Sequence, residues 1–148
     1  MGQSPHRDVV GSPLVKTGPM SEADCEFCPP RVDGLVVVEN GTCVGLWDRE
    51  QTPLVVPRAH RRTAFDLTAE EVRDTFGLLR QLKAMVEDID PPDGWNIGWN
   101  LEAAGGQVTF HAHCHLLPRY SDEPYAGRGI RWLYKQPENA RPSKGRPE

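Results

Sequence analysis

No apolar run in the 148 residues approaches the roughly 20 needed to span a bilayer. The N-terminus also lacks the apolar core that a signal peptide carries. There is no excess of basic charge: 17 Lys and Arg stand against 21 Asp and Glu, a formal net charge of −4. That balance argues against a dedicated nucleic-acid or membrane-surface protein, while leaving room for a local phosphate site. No internal repeat is visible. Cysteines number only four. With no secretory signal the expected location is cytoplasmic, where thiols stay reduced or hold metal.

Hydrophobic residues are scarce for a compact domain, at 38%. The ends account for part of this, because residues 1–20 and 136–148 are rich in Pro, Gly and charge and read as disordered. One folded unit is expected over 21–135, long enough to bury a core.

Within it, "GLVVVENGTCVGLW" (34–47) reads as two strands turning at Asn40-Gly41, residues that tolerate positive φ. "TPLVVP" (52–57) reads as a third strand ended by Pro57. Thr68 and Glu71 form a capping box, and Val72, Phe76, Leu79, Leu82 and Val86 recur at helical spacing over 68–89. "WNIGWNL" (95–101) and "VTFHAHCHLLP" (108–118) read as the last two strands. The expected class is α+β: an antiparallel sheet of about five strands with one long helix.

Histidines are rare too, five in the whole chain, yet three fall in "TFHAHCHLLPRY": His111, His113 and His115. On a strand they share one face, with Ala112, Cys114 and Leu116 on the other. The outer two would stand about 13 Å apart, too far for one metal whose imidazole bonds are about 2.0–2.1 Å. The three roles must therefore be divided. Directly upstream, "AAGGQ" places glycines where backbone N–H groups can approach an anion. Together these describe a phosphate site. Elsewhere, Cys25 and Cys28 form a Cys-x-x-Cys knuckle that suits metal better than redox chemistry, because no thioredoxin-like context accompanies it. Cys43 and Cys114 read as small buried hydrophobes. Arg61 and Arg62 read as solvated surface.

The segment "NIGWNLEAAGGQVTFHAHCHLLPRY" resembles the signature of the histidine triad family. With the Cys-x-x-Cys start and "LVVPRAH", the likeness runs over about 25–135 and points to the zinc-containing bacterial-type branch. The resemblance implies an α+β homodimer that processes nucleotides through a covalent nucleotidyl-histidine. It assigns His113 as nucleophile, His115 as phosphate contact, and Asn100 with the backbone of Gly106 and Gln107 as donors to the developing charge. Asp48 matches a position that binds ribose hydroxyls. Cys25, Cys28, His60 and His111 match the structural zinc ligands, and "RYSDEPYAGRGIRW" resembles a tail that runs along the dimer.

Two departures stand out. Val108 occupies the usual Ser or Thr position, with Thr109 one place later, and the segment from Asp48 to "VPRAH" is short and lacks a Pro-Gly-His. The expected activity is hydrolysis of dinucleoside polyphosphates or nucleoside phosphoramidates at the α-phosphate. A nucleotidyl transferase, a non-catalytic nucleotide-binding module and a catalytic-metal enzyme remain as alternatives.

Overall fold

The computed structural model describes residues 22–141. The arm expected to be disordered (1–20) lies outside them, as does the tail beyond 141; residues 136–141 are described and include a 3-10 turn at Pro137–Asn139.

Strands β1 (Val36–Glu39), β2 (Cys43–Trp47) and β3 (Pro53–Pro57) form a meander, followed by helix α1 (Ala69–Ile89) and strands β4 (Gly94–Gly98) and β5 (Cys114–Arg119). All pairings are antiparallel, and the order across the sheet is β1-β2-β3-β5-β4. The last strand is thus inserted between the third and the fourth.

Alternation along the strands gives the sheet two covered faces. Val44, Leu46, Leu54 and Val56 pack against Cys25, Phe27, Cys28 and Val32 of the N-terminal segment. Cys43, Val55, Cys114 and Leu116 pack against Leu78, Leu79 and Leu82 of α1. A Cβ on Gly45 would lie 2.6 Å from a Val38 methyl and 3.0 Å from Leu82 Cδ1, so the helix meets β2 where only glycine fits. His115 pairs with Leu54, and residues paired across an antiparallel ladder share a face. His115 therefore sits on the cysteine side of the sheet, away from the helix.

Helix α1 begins as expected: Thr68 Oγ1 accepts from Glu71 N–H and Glu71 reaches back to Thr68 N–H. Its buried stripe differs from the apolar spacing. Glu71, Thr75, Leu78, Leu79, Leu82 and Val86 face inward, while Val72 and Phe76 are exposed. The helix is rotated by one position, and the inward Glu71 is met by Arg61, itself about one-third exposed.

The Asn40-Gly41 turn forms, but neither residue takes a positive φ. Instead Asn40 Oδ1 accepts from Cys43 N–H and Asp74 Oδ2 accepts from Thr42 N–H and Oγ1–H. The fifth strand is shorter than expected, starting at Cys114. Pro57, two residues beyond the last paired position Val55, has no N–H to give, and its carbonyl accepts from His111 Nε2 at 2.8 Å. Residues 108–113 consequently leave the ladder, touching the neighbouring segment by Ala112 N–H donating to Arg61 O at 2.6 Å.

Candidate active site and metal corner

Four donor atoms, from Cys25, Cys28, His60 and His111, lie within 4.8 Å of one another. His111 Nδ1 is 3.5 Å from each sulfur, and His60 Nδ1 is 3.3 Å from Cys28 Sγ. A tetrahedral zinc with ordinary bond lengths separates its sulfur and nitrogen ligands by about 3.5 Å. The donor set therefore fits zinc in chemistry and in spacing. His111 is prepared for it, because a carbonyl only accepts: with Pro57 O bonded to Nε2–H, Nδ1 keeps its lone pair toward the sulfurs.

Charge at this corner agrees. Burial, helped by its neighbours His60 and His113, pushes the His111 imidazole down to about 4 against the hydrogen bond to Pro57, so it is neutral at pH 7. Burial, then the contact with Cys25, raises the Cys28 thiol to about 12 without a cation. A bound cation inverts that preference. A cleft of about 440 Å³ lined by Glu22, Cys28, Arg58, His60 and Arg61 opens onto the corner.

Two residues along, His113 Nδ1 donates to the His111 carbonyl at 2.7 Å. That bond fixes the tautomer and leaves the Nε2 lone pair free. The ring is only 8% exposed. It lies between Phe27, whose centroid is 5.2 Å away, and His115, at 5.0 Å. Burial first, then His113, lowers the His115 pKa, with Asp48 and Glu50 opposing, so His115 is uncharged at pH 7. The irregular segment thus gives its first histidine to the metal corner, while its second meets His115, at the start of β5, edge to face.

The glycine loop is built around Gly106, which takes φ +93°, and Asn100 Cγ lies 3.6 Å from where a Cβ would stand. Gln107 is buried, and its side chain is consumed as a brace. Its Oε1 accepts from Glu102 N–H, and its Nε2 donates to the carbonyls of Arg62 and Thr109. Its backbone N–H is taken as well, donating to Glu102 O at 3.0 Å, and the Gly106 N–H donates to Ala103 O at 3.0 Å, so both amides expected to meet a ligand are engaged within the loop itself. Asp48 likewise engages its own turn, accepting from Thr52 N–H at 2.8 Å and Thr52 Oγ1–H at 2.5 Å.

Arg61 and Arg62, expected as solvated surface, are partly exposed, and each also holds an ion pair. Arg61 Nε bonds both oxygens of the buried Glu71 at 3.1 Å, and Arg62 pairs with Glu102 while covering the Phe110 ring. The expectation for Thr109 can be refined as well. Its hydroxyl turns away from the exposed Val108 and donates to Glu26 Oε1. Arg128 lies over Tyr125 and Trp132 of its own chain.

A helix-backed five-stranded antiparallel sheet carrying alternating imidazoles at the head of its inserted strand defines the histidine-triad class of domain. Residues 33–122 match the HIT domain family, and the chain belongs to it. An uncharacterized HIT-like protein of Saccharolobus solfataricus is 30% identical over 104 residues, covering 68% of this chain and 75% of that one. The crystal structure of a HIT family protein from Bacillus anthracis superposes with a TM-score of 0.60 at 30% identity, over 67% of this chain and 75% of its own. An asymmetrical bis(5'-nucleosyl)-tetraphosphatase of Schizosaccharomyces pombe is 32% identical over 66 residues, 45% of this chain and 36% of that enzyme.

Proposed function

We propose that this protein is a nucleotide hydrolase acting at the α-phosphate of dinucleoside polyphosphates or nucleoside phosphoramidates. The observation that carries this is the His113 imidazole, pinned through Nδ1 to the His111 carbonyl so that Nε2 is the nitrogen left for substrate. The tetraphosphatase named among its relatives supports the substrate class.

In the first step His113 Nε2 attacks the α-phosphorus. A phosphorus–nitrogen bond forms, and the bond to the leaving group breaks with its electron pair, which takes a proton from solvent. In the second step water attacks the same phosphorus, the histidine leaves, and its ring returns to the neutral form as the water's proton passes to solvent. Neutral His115 donates to a phosphate oxygen. Asn100 donates to the charge that develops, and the Gly106 and Gln107 amides join it only on release from Ala103 O and Glu102 O. The second lone pairs of the Asp48 carboxylate accept from the ribose hydroxyls.

Cys25, Cys28, His60 and His111 would hold a structural zinc, as in the zinc-containing branch of the family. Such an ion supplies rigidity rather than chemistry at phosphorus. We place the protein in the cytoplasm as a homodimer. Two features support the dimer: among the described residues β4 pairs with β5 alone, leaving an edge where Ile97 is exposed, and α1 presents Val72 and Phe76 to solvent.

The deciding experiment is chromatographic. Wild type and His113→Asn are incubated with diadenosine polyphosphates and nucleoside phosphoramidates. Release of a nucleoside monophosphate by wild type alone, with a trappable nucleotidyl-histidine, is expected; release by neither sinks the proposal. Delivery of the nucleotide to added phosphate instead of water would make the protein a transferase. A binding module is the second reading, favoured by the exposed Val108 and the Thr109 hydroxyl taken up by Glu26.

A further inference from the structure

The two residues between the knuckle cysteines both reach the triad segment. Glu26 Oε1 accepts from Thr109 Oγ1 at 2.5 Å, and Thr109 is buried. The Phe27 ring meets His111 edge-on at 6.0 Å and His113 at 5.2 Å, tilted by 53°. Residues 108–113 lie outside the ladder, so their geometry depends on such side-chain contacts.

A ring held by one hydrogen bond can still rock about it. The bond from His113 Nδ1 to the His111 carbonyl fixes the tautomer but not the plane in which Nε2 points. Phe27 on one side and His115 on the other remove that freedom. Attack on phosphorus needs the reacting atoms about 3–3.5 Å apart with the lone pair aligned, and misplacement by about 1 Å costs up to about a hundredfold.

We infer that Phe27 and Glu26 are positioning residues: they transmit the geometry of the cysteine knuckle to His113, Phe27 through its ring and Glu26 through Thr109. The inference rests on His113 being the nucleophile and extends that reading to the knuckle. It also gives the displaced hydroxyl a purpose. A Ser or Thr at position 108 would sit at the exposed end of the loop, whereas Thr109 ties the segment to the residue beside the first cysteine. Closure of the knuckle is thereby registered at the reacting nitrogen, although no knuckle atom touches substrate.

The test compares full-length wild type, Phe27→Leu, Phe27→Tyr and Thr109→Val. Four quantities are read: the single-turnover rate of nucleotidyl-histidine formation, KM, affinity for the nucleoside monophosphate product, and zinc per protomer. Phe27→Leu should form the adduct about tenfold to a hundredfold more slowly. Its KM, product affinity and zinc content should stay within about twofold of wild type, and Phe27→Tyr should recover to within about threefold. An unchanged rate in Phe27→Leu overturns the inference. So does a rise in KM at constant kcat, which would make Phe27 a binding surface, and so does loss of zinc in step with activity, which would make it structural.

Should Phe27→Leu fail to fold, Thr109→Val carries the test, because it removes only the hydroxyl. A several-fold slower adduct at constant KM supports the proposal, and a wild-type rate overturns it. Absence of adduct in wild type itself overturns the nucleophile reading and the positioning role together, and is seen before any variant is compared.

Discussion

Arg61 holds the buried Glu71 carboxylate with Nε 3.1 Å from both oxygens, while its own carbonyl accepts from Ala112 N–H at 2.6 Å. One arginine thus fastens the start of α1 to the residue between the first two triad histidines. Replacing Glu71 by Ala removes the charged partner and also uncaps Thr68 N–H. We expect the change to lower stability by about 2–3 kcal/mol, measured by urea unfolding at pH 7.

The same carboxylate makes stability depend on acid. Burial alone would raise the Glu71 pKa, but hydrogen bonds from Arg61 and Thr68, with the Arg61 charge, lower it on balance. A group whose folded pKa is depressed contributes above its unfolded value, here 4.5, and loses that contribution as pH falls through the folded value. The difference in unfolding free energy between wild type and Glu71→Gln should therefore be full at pH 7 and shrink below pH 4.5. A gap that widens in acid would contradict this assignment.

Metal binding at the corner should release protons. Zinc takes cysteines as thiolates, and Cys28 is held protonated at pH 7 in its absence, whereas His111 is already neutral. Titrating zinc into chelator-treated protein in weak buffer should release the Cys28 proton, at least about one per ion. Cys28→Ala should release fewer and bind more weakly. Calorimetry in two buffers of different ionisation enthalpy gives the count.

Gly106 combines φ +93° with the Asn100 side chain 3.6 Å from the site of a Cβ. Gly106→Ala strains the backbone by about 1–2 kcal/mol, while its methyl meets Asn100 at ordinary contact distance, so the effect is on the shape of the loop. Turnover should fall about tenfold or more while the melting temperature drops only a few degrees. Parallel assays and thermal scans on one preparation separate the two effects.

The helix and meander were legible because their signals are local: Thr68 with Glu71 at the cap, and apolar residues at period two around Asn40-Gly41. The inward stripe of α1 was not, because the burial of Glu71 depends on an arginine ten residues earlier that sequence spacing does not connect to it. The start of β5 was misplaced because the alternation from Thr109 to His115 continues where the ladder does not. Pairing requires a partner, and Pro57 offers no donor. His60 and His111 were matched to Cys25 and Cys28 by family likeness alone. What brings them together is the covering of one sheet face by the cysteine segment, a tertiary fact with no sequence period.

The strand order carries a consequence for synthesis. Among the described residues β4 has no partner but β5, and β5 is the last of the five strands to be made, after the glycine loop. A nascent chain can assemble β1, β2, β3 and α1 as it emerges, but β4 must wait until the histidine strand leaves the ribosome and slides in between. An incomplete chain is thus left with a dangling strand and an unprotected edge on β3, the kind of surface cellular quality control recognises. The residues that would do the chemistry are also those whose arrival completes the sheet, so a fully closed fold implies that the triad has been made.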